Sequence, residues 1–212
     1  MKAFSLEDID NMHHLYRINL INSCSGYKSA NLIGTQNSDG NTNLAVFSSL
    51  THMGSNPGLL GVFLRPTTVI RHTYDNIKAT GKYTINHIHE NIIEDAHHTS
   101  AKYDKSISEF DVTNLNEEFK EDFFAPFVKG CPIQIAMQYE EEYHIKANNT
   151  ILLVGKIEKL YVENTLLEKD GFINLSKGKV ATINGLDAYA VPELKTRLEY
   201  QRPKEGFAHR DG

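Results

Sequence analysis

Cysteine is scarce in this sequence: Cys24 and Cys131 are the only two among 212 residues, and neither lies in a CxxC or zinc-type spacing. This scarcity argues against a disulfide framework, and we expect both thiols to be buried. No apolar run approaches the ~20 residues of a membrane-spanning helix. The first residues become acidic at Glu7 and Asp8, where a secretory signal peptide would need an apolar core. The sequence therefore predicts a cytoplasmic protein.

Several familiar catalytic signatures are also missing. There is no GxGxxG or GxxxxGK(S/T) phosphate loop and no GxSxG nucleophile elbow, so neither a standard nucleotide-binding fold nor hydrolase chemistry is indicated. The net charge of −5 gives no general attraction to nucleic acid or to anionic membranes, and we expect neither as a partner. With 40% hydrophobic and 23% charged residues, the composition is typical of a globular protein, and we expect residues 1–212 to form a single domain.

The apolar pattern predicts a mainly β protein with a few short helices. The clearest hairpin joins strands at 29–36 and 43–49 through a turn in which Asp39-Gly40 suits the positive φ angles of a tight turn. The other predicted strands are at 15–21, 59–64, 82–89, 132–144 and 150–162. Helices are predicted at 6–13, 68–80 and 91–103, and a surface helix or loop at 104–120. Because strands and helices do not alternate regularly, an antiparallel β-barrel with helical insertions fits better than a doubly wound parallel sheet.

The best candidate anion site is Arg71-His72-Thr73, beside the start of the helix predicted at 68–80. A helix N-terminus offers unpaired N–H groups and the positive end of the helix dipole, while arginine adds a forked cation and threonine a hydroxyl. This combination suits a phosphate monoester. The alternative is that Arg71 pairs with a surface carboxylate and that Thr73 packs or caps the helix locally.

A second polar group, Ser48-Ser49-Leu50-Thr51, closes the strand that begins at Asn43. Small hydroxyl residues at a strand end let a flat ring approach the backbone, whose N–H and C=O groups can bond to the polar edge of such a ring. Serine and threonine at strand ends are also ordinary turn formers, so the group has a purely local alternative.

Ten histidines raise the question of a metal site. His87 and His89 would lie on one face of a strand, with Glu94, His97 and His98 close in sequence. A catalytic metal needs about three or four convergent ligands with supporting hydrogen bonds, and the pattern supplies only two together. We therefore expect solvated or hydrogen-bonded histidines and no metal.

In five blocks of the sequence, the identities of the residues are informative beyond the hydrophobic pattern. They are the segment 29–35 (SANLIGT), the turn Asp39-Gly40-Asn41, the segment 43–49 (NLAVFSS), the segment 56–60 (NPGLL), and the segment 71–77 (RHTYDNI) ending in 80–86 (TGKYTIN). In this order they resemble the flavin reductase-like, FMN-binding split-barrel family. The resemblance is densest over about residues 29 to 90 and continues more loosely through 108–111 and 149–157.

The resemblance implies a split β-barrel that binds FMN at the interface of a homodimer. It implies that the segment from Asn43 to Thr51 cradles the flavin ring and ribityl chain, and that the block starting at Arg71 holds the phosphate. The implied cofactor-binding residues are Asn43, Leu44, Ala45, Val46, Phe47, Ser48, Ser49, Thr51, Arg71, His72 and Thr73. No catalytic side chain and no metal are implied, since the flavin carries the chemistry. Many family members have a histidine just before the late strand, where this sequence has Asn149, and His144 does not match that position.

We therefore expect an FMN-binding oxidoreductase: an NAD(P)H-dependent flavin reductase or a related electron-transfer flavoprotein that delivers electrons to a free flavin, a metal chelate or a protein. One alternative is a non-enzymatic flavin-binding electron carrier, which would be yellow but would not oxidise NAD(P)H. Another is a small metalloenzyme using His87 and His89, which would retain metal through dialysis.

Overall fold

The computed structural model describes residues 1–202. Helices α1 to α4 are Leu6–Asn11, His14–Cys24, His72–Thr80 and Ile93–His98, with 3-10 turns at Glu90–Ile92 and Asn164–Leu166. Strands β1 to β12 are Tyr27–Ser29, Asn31–Gln36, Thr42–Phe47, Leu50–Ser55, Gly58–Leu64, Lys82–His87, Glu117–Glu118, Phe127–Val128, Ile133–Ile145, Thr150–Val162, Thr182–Asn184 and Ala188–Ala190. No helix within residues 1–202 is long and apolar enough to cross a membrane.

Seven strands form one antiparallel sheet in the order β3-β2-β6-β9-β10-β5-β4. Its two edge strands, β3 and β4, are consecutive in the chain and are separated only by Ser48 and Ser49. A flat sheet of seven strands would hold its edges roughly 29 Å apart, but the three steps from Phe47 to Leu50 span at most about 11 Å. The sheet must therefore curl into a barrel with its gap between β3 and β4, which confirms the predicted mainly β, split-barrel fold.

The barrel interior holds one apolar cluster, and a second cluster lies outside the wall. Ile33, Ile85, Ile135 and Leu153 belong to the interior cluster. The second cluster contains Leu32, Leu44, Ala96, Phe110, Leu115, Val128 and Ile183. Because side chains alternate across a strand, β2 and β3 contribute to both clusters.

Helix α3 closes one end of the barrel. Its Tyr74 and Ile77 pack into the interior cluster, at the spacing that the sequence pattern indicates. The helix ends at Gly81, which takes a left-handed φ of 71° and donates its N–H to the Ile77 carbonyl, as predicted for a C-cap glycine. It begins at His72, four residues later than predicted, because residues 67–69, directly after Pro66, form a turn and a bend instead of the first turn of the helix.

The strand predicted at 15–21 is wrong: these residues belong to helix α2. Leu15, Ile18 and Ile21 recur every third residue, whereas Tyr16, Ile18 and Leu20 recur every second residue, so the short segment suits both periods. None of the α2 side chains is buried, and Asn22 and Ser23 bond back to carbonyls one turn earlier. The hydrophobic pattern of the segment does not decide between helix and strand, and the structure forms a helix that belongs to none of the described sheets.

Other boundaries also differ from the predictions. The helix predicted at 91–103 is reduced to α4 and the turn before it. The segment 104–120 is mostly loop, but it buries Phe110, Leu115 and Glu109 instead of staying at the surface. Cys131 is buried as expected, whereas Cys24 at the end of α2 is exposed.

Candidate functional site

Strand β3 contacts the first turn of helix α3. The Asn43 amide nitrogen donates to the Thr73 hydroxyl at 3.1 Å and lies 3.4 Å from the Thr35 hydroxyl. Asn76, one turn along α3, donates to the same Thr35 hydroxyl at 3.1 Å. The structure thus joins the two sequence blocks predicted to bind FMN, through side chains that lie 30 residues apart in sequence.

Arg71 is the N-cap residue of α3, with its carbonyl bonded to the Asp75 N–H at 2.9 Å. Its side chain makes no capping bond, and its Nε is buried without a hydrogen-bond partner among residues 1–202. Buried polar groups are nearly always paired, so an unpaired guanidinium N–H at a helix N-terminus indicates a missing acceptor. Thr73 is also nearly buried, and because its oxygen accepts from Asn43, its hydroxyl hydrogen is free to donate. An anion with several acceptor oxygens would satisfy both groups.

The gap between β3 and β4 provides a second part of the site. Ser48 forms the bend between the strands, and the Ser49 hydroxyl donates to the Phe63 carbonyl of β5 at 2.8 Å, which fixes the bend against the wall. Leu44 donates its N–H away from β2, so the alternation of an antiparallel ladder turns the Val46 N–H outward as well. The edge of β3 therefore presents backbone polar groups beside the bend.

The structure divides the predicted site residues into four sets. Arg71, His72, Thr73 and Asn43 lie together at the start of α3, and Ala45, Val46, Phe47, Ser48 and Ser49 follow as half-buried residues toward the gap. Leu44 is fully buried in the outer cluster, so only its backbone can belong to a site. Thr51 is exposed on β4, across the gap from β3.

Glu109 is a site residue that the sequence patterns do not single out. Its carboxylate accepts the Leu44 N–H at 2.8 Å, although the side chain comes from a loop 65 residues away and the residue is only 7% exposed. Burial raises the pKa of this carboxyl, while the Leu44 N–H and the nearby His72 act in the opposite direction. The available sequence signal is an acidic residue directly before the apolar Phe110, in a segment that is otherwise polar.

The histidines considered as metal ligands each have separate surroundings. His89 accepts the Asn91 N–H, His97 contacts the Tyr189 hydroxyl at 3.2 Å, and His98 contacts the Tyr103 hydroxyl at 2.6 Å. Burial lowers the pKa of His87 to about 4. No three histidine, cysteine or acidic side chains within residues 1–202 are grouped as a metal site would require.

The sequence model of the flavin reductase like domain matches residues 26–182, which include the barrel and all the predicted site residues. The chain belongs to this family. Membership makes it a flavin-related oxidoreductase, and it agrees with the split-barrel architecture and with a flavin as the cofactor.

Solved structures agree with the family assignment. A split-barrel protein from Shewanella frigidimarina, provisionally assigned as a flavin reductase, is 45% identical, with a TM-score of 0.92 over 95% of this chain and all of that one. Nitrilotriacetate monooxygenase component B from Bacillus cereus is 19% identical, with a TM-score of 0.81 over 93% of this chain and 98% of that one. An FMN-binding protein from Thermus thermophilus is 14% identical, with a TM-score of 0.71 over 84% and 93%. The last two show the fold alone.

Asn149, a departure from the family pattern expected from the sequence, has a clear local role in the structure. It lies in the tight turn between β9 and β10 with a φ of 57° and donates its N–H to the Ile145 carbonyl at 2.9 Å. Asparagine tolerates this left-handed conformation better than most residues do. His144 precedes the turn and contacts Glu142 at 3.2 Å.

Proposed function

We propose that the protein binds FMN at the junction of β3 and α3, and that it acts as an NAD(P)H-dependent flavin oxidoreductase. The observation that supports this most strongly is the buried, unpartnered Nε of Arg71 beside the Asn43–Thr73 contact. A phosphate monoester offers the acceptor oxygens that this arrangement needs, and FMN differs from riboflavin only by that group.

The phosphate end of the proposed site uses the first turn of α3. Arg71 supplies a fixed positive charge, Thr73 a hydroxyl donor, and the helix N-terminus supplies N–H groups that have no partner within the helix. Asn43 holds Thr73 in place from β3. The imidazole of His72, between these residues in the chain, can add a further N–H donor.

The ring end of the proposed site uses the gap between β3 and β4. Ser49 fixes the bend, and the backbone from Val46 to Ser48 presents N–H and C=O groups that can orient the flat edge of a flavin. Bound FMN would supply the electron-transfer chemistry, so the protein groups need only orient it and exclude water. A free flavin, a metal chelate or a protein could accept the electrons.

Removing the Arg71 guanidinium tests the phosphate end directly. We expect Arg71→Ala to weaken FMN binding by about 1.5 to 3 kcal/mol, the scale of a charged hydrogen bond, because the phosphate loses a buried donor. Riboflavin binding should change little, since riboflavin carries no phosphate. Titration of both flavins into both proteins, followed by quenching of flavin fluorescence, measures the difference.

Arg197→Ala is the matched control, because it removes one positive charge from an exposed ion pair with Asp170 far along the chain. It should leave both affinities unchanged. If Arg71→Ala binds FMN as tightly as the parent protein does, the phosphate lies elsewhere.

A further inference from the structure

Helix α3 contacts strand β9 near its start, in its last turn and directly after its end. Near the start, the Tyr74 hydroxyl donates to the Glu142 carboxylate at 3.0 Å. In the last turn, the Lys78 ammonium donates to the Tyr139 hydroxyl at 2.7 Å and lies 4.3 Å from the centre of the Tyr139 ring. After the end, the Gly81 carbonyl accepts the Tyr139 N–H at 2.8 Å. Strand β9 therefore holds both ends of the helix.

The Glu142 carboxylate contacts two residues of α3 at once. Tyr74 donates to one of its oxygens, and the Lys78 ammonium lies 3.3 Å from the other, close enough for an ion pair although that oxygen accepts no hydrogen bond within residues 1–202. His144 also contacts the carboxylate, at 3.2 Å. The Glu142 side chain is only 15% exposed. Burial raises the pKa of its carboxyl, but the contacts with these three side chains outweigh burial and hold the pKa below its usual range. The carboxylate is therefore charged at neutral pH.

Tyr74 directly follows Thr73, and the two neighbours attach the first turn of α3 to different strands. The Thr73 hydroxyl accepts from Asn43 on β3, and the Tyr74 hydroxyl donates to Glu142 on β9. Two other strands separate β3 from β9 in the sheet, so the first turn is held from two distinct places on the barrel wall. Arg71, the N-cap residue, belongs to the same turn. Its position relative to β3 therefore depends on the contact with β9.

This polar contact adds something that packing does not provide. Tyr74 and Ile77 already attach α3 to the interior cluster through apolar contacts. Burial of apolar surface is non-directional, whereas a hydrogen bond has a preferred distance and angle. The Glu142 contact therefore determines where the first turn lies, and not only whether the helix is attached.

We propose that Glu142 is a positioning residue for the flavin phosphate: through Tyr74 and Lys78 it fixes the first turn of α3 where Arg71 and Thr73 can bind the phosphate together. The proposal rests on the proposed function and assigns a role to a residue that does not itself touch the cofactor. Because Lys78 pairs with the carboxylate, the two side chains add no net charge beside the phosphate.

The test removes the carboxylate with Glu142→Ala and compares two flavins. We expect the dissociation constant for FMN to rise about three- to tenfold, the scale of one hydrogen bond at the phosphate, with riboflavin affinity unchanged. Glu141→Ala is the matched control: it removes the same charge from the next, exposed residue of β9 and should bind both flavins as the parent does. Unchanged FMN affinity in Glu142→Ala would overturn the proposal, and so would equal weakening of both flavins.

Tyr74→Phe tests whether Glu142 acts through Tyr74, because it keeps the ring in the interior cluster and removes only the hydroxyl. Alone it should weaken FMN binding about three- to fivefold. In the Glu142→Ala background it should change FMN affinity by less than about 1.5-fold, whereas full additivity would contradict the proposed route. Circular dichroism checks that each variant folds. If Glu142→Ala does not fold, Tyr74→Phe alone carries the test, and unchanged FMN affinity there would overturn the proposal.

Phosphorus NMR of the bound cofactor provides a readout that general destabilisation of the fold would not change. With FMN at saturation, the phosphate resonance of folded Tyr74→Phe should move from its position in the parent toward that of free FMN. A resonance that stays at the parent's position would show that the first turn does not depend on the Glu142 contact, and would overturn the proposal.

The parent protein separates this proposal from the proposed function. If the parent binds FMN more tightly than riboflavin and Glu142→Ala keeps the same ratio of affinities, only the role of Glu142 is wrong. If the parent binds neither flavin, the proposed function is wrong and the role of Glu142 is wrong with it.

Discussion

Gly34 shows at the residue scale how closely strand β2 packs against its surroundings. A Cβ added to Gly34 would lie 2.2 Å from the Pro126 carbonyl oxygen and 2.7 Å from the Thr84 hydroxyl. The Thr84 hydroxyl also donates to that carbonyl at 2.6 Å, so the neighbouring backbone is held in place and cannot move aside easily. Gly34 lies directly opposite Leu44, and its packing therefore supports the strand that carries Asn43.

We expect Gly34→Ala to lower the free energy of unfolding by about 2 to 3 kcal/mol, the cost of overpacking a tight site. Urea unfolding followed by circular dichroism measures the change. Gly58→Ala is the control, because a Cβ there would make only ordinary contacts with Ile157, at 3.5 Å or more. Equal stability of the two variants would contradict this packing.

His87 gives a pH dependence with a definite sign. Its Nδ1 is buried without a partner within residues 1–202, and burial lowers its pKa from 6.5 to about 4. Between these values the unfolded chain binds a proton at His87 and the folded protein does not, so stability falls as the pH falls from 6.5 toward 4. The loss reaches at most about 3 kcal/mol.

Comparing His87→Asn with the parent isolates this contribution. We expect the variant's free energy of unfolding to fall less steeply across that pH range, as measured by urea unfolding at several pH values. The same change at the exposed His52 should keep the parent's slope. Parallel curves for His87→Asn and the parent would show that His87 takes up its proton equally in both states.

At the scale of elements, the sequence predicts those strands and helix ends that are set by local sequence signals. The β2–β3 hairpin, β5 and the long β9–β10 pair were all predicted, because each is an apolar run bounded by turn residues. The C-cap of α3 at Gly81 is predicted because a glycine follows apolar residues at helical spacing. The α2 prediction failed because a seven-residue segment fits both the helix and the strand period.

In the candidate site too, the sequence predicts the residues that have local signals and misses the contacts that depend on the fold. Arg71, His72 and Thr73 were found because charge, hydroxyl and helix start are adjacent in sequence. The contact of Asn43 with Thr73 and that of Glu109 with Leu44 could not be found, since they span 30 and 65 residues and depend on how the sheet curls. The segment 104–120 is predicted to lie at the surface because its few buried residues stand among many polar ones.

At the scale of the whole molecule, the barrel gap leaves the proposed ring site open on one side. The β3 and β4 edges meet there at an exposed bend, and Met53 and Phe63 on the neighbouring wall are each about two-fifths exposed, at 42% and 41%. A second copy of the chain could cover such a surface, as the homodimer expected from the sequence would require.

We therefore expect light scattering of the dilute, FMN-loaded protein to give twice the chain mass of 24.0 kDa. Sedimentation of the same sample would report whether flavin absorbance moves with the dimer. A monomer with full FMN occupancy would contradict a site shared between subunits, although it would leave the phosphate site itself intact.

The central claim is that this barrel binds FMN and that NAD(P)H reduces the bound cofactor. Anaerobic titration of the FMN-loaded protein with NADH and with NADPH, followed by visible absorbance, tests it most directly. We predict one flavin per chain and loss of the flavin absorbance near stoichiometric addition of at least one of the two donors. A yellow protein that neither donor bleaches would be a flavin-binding carrier without the proposed reductase activity, and a protein that takes up no FMN would contradict the account entirely.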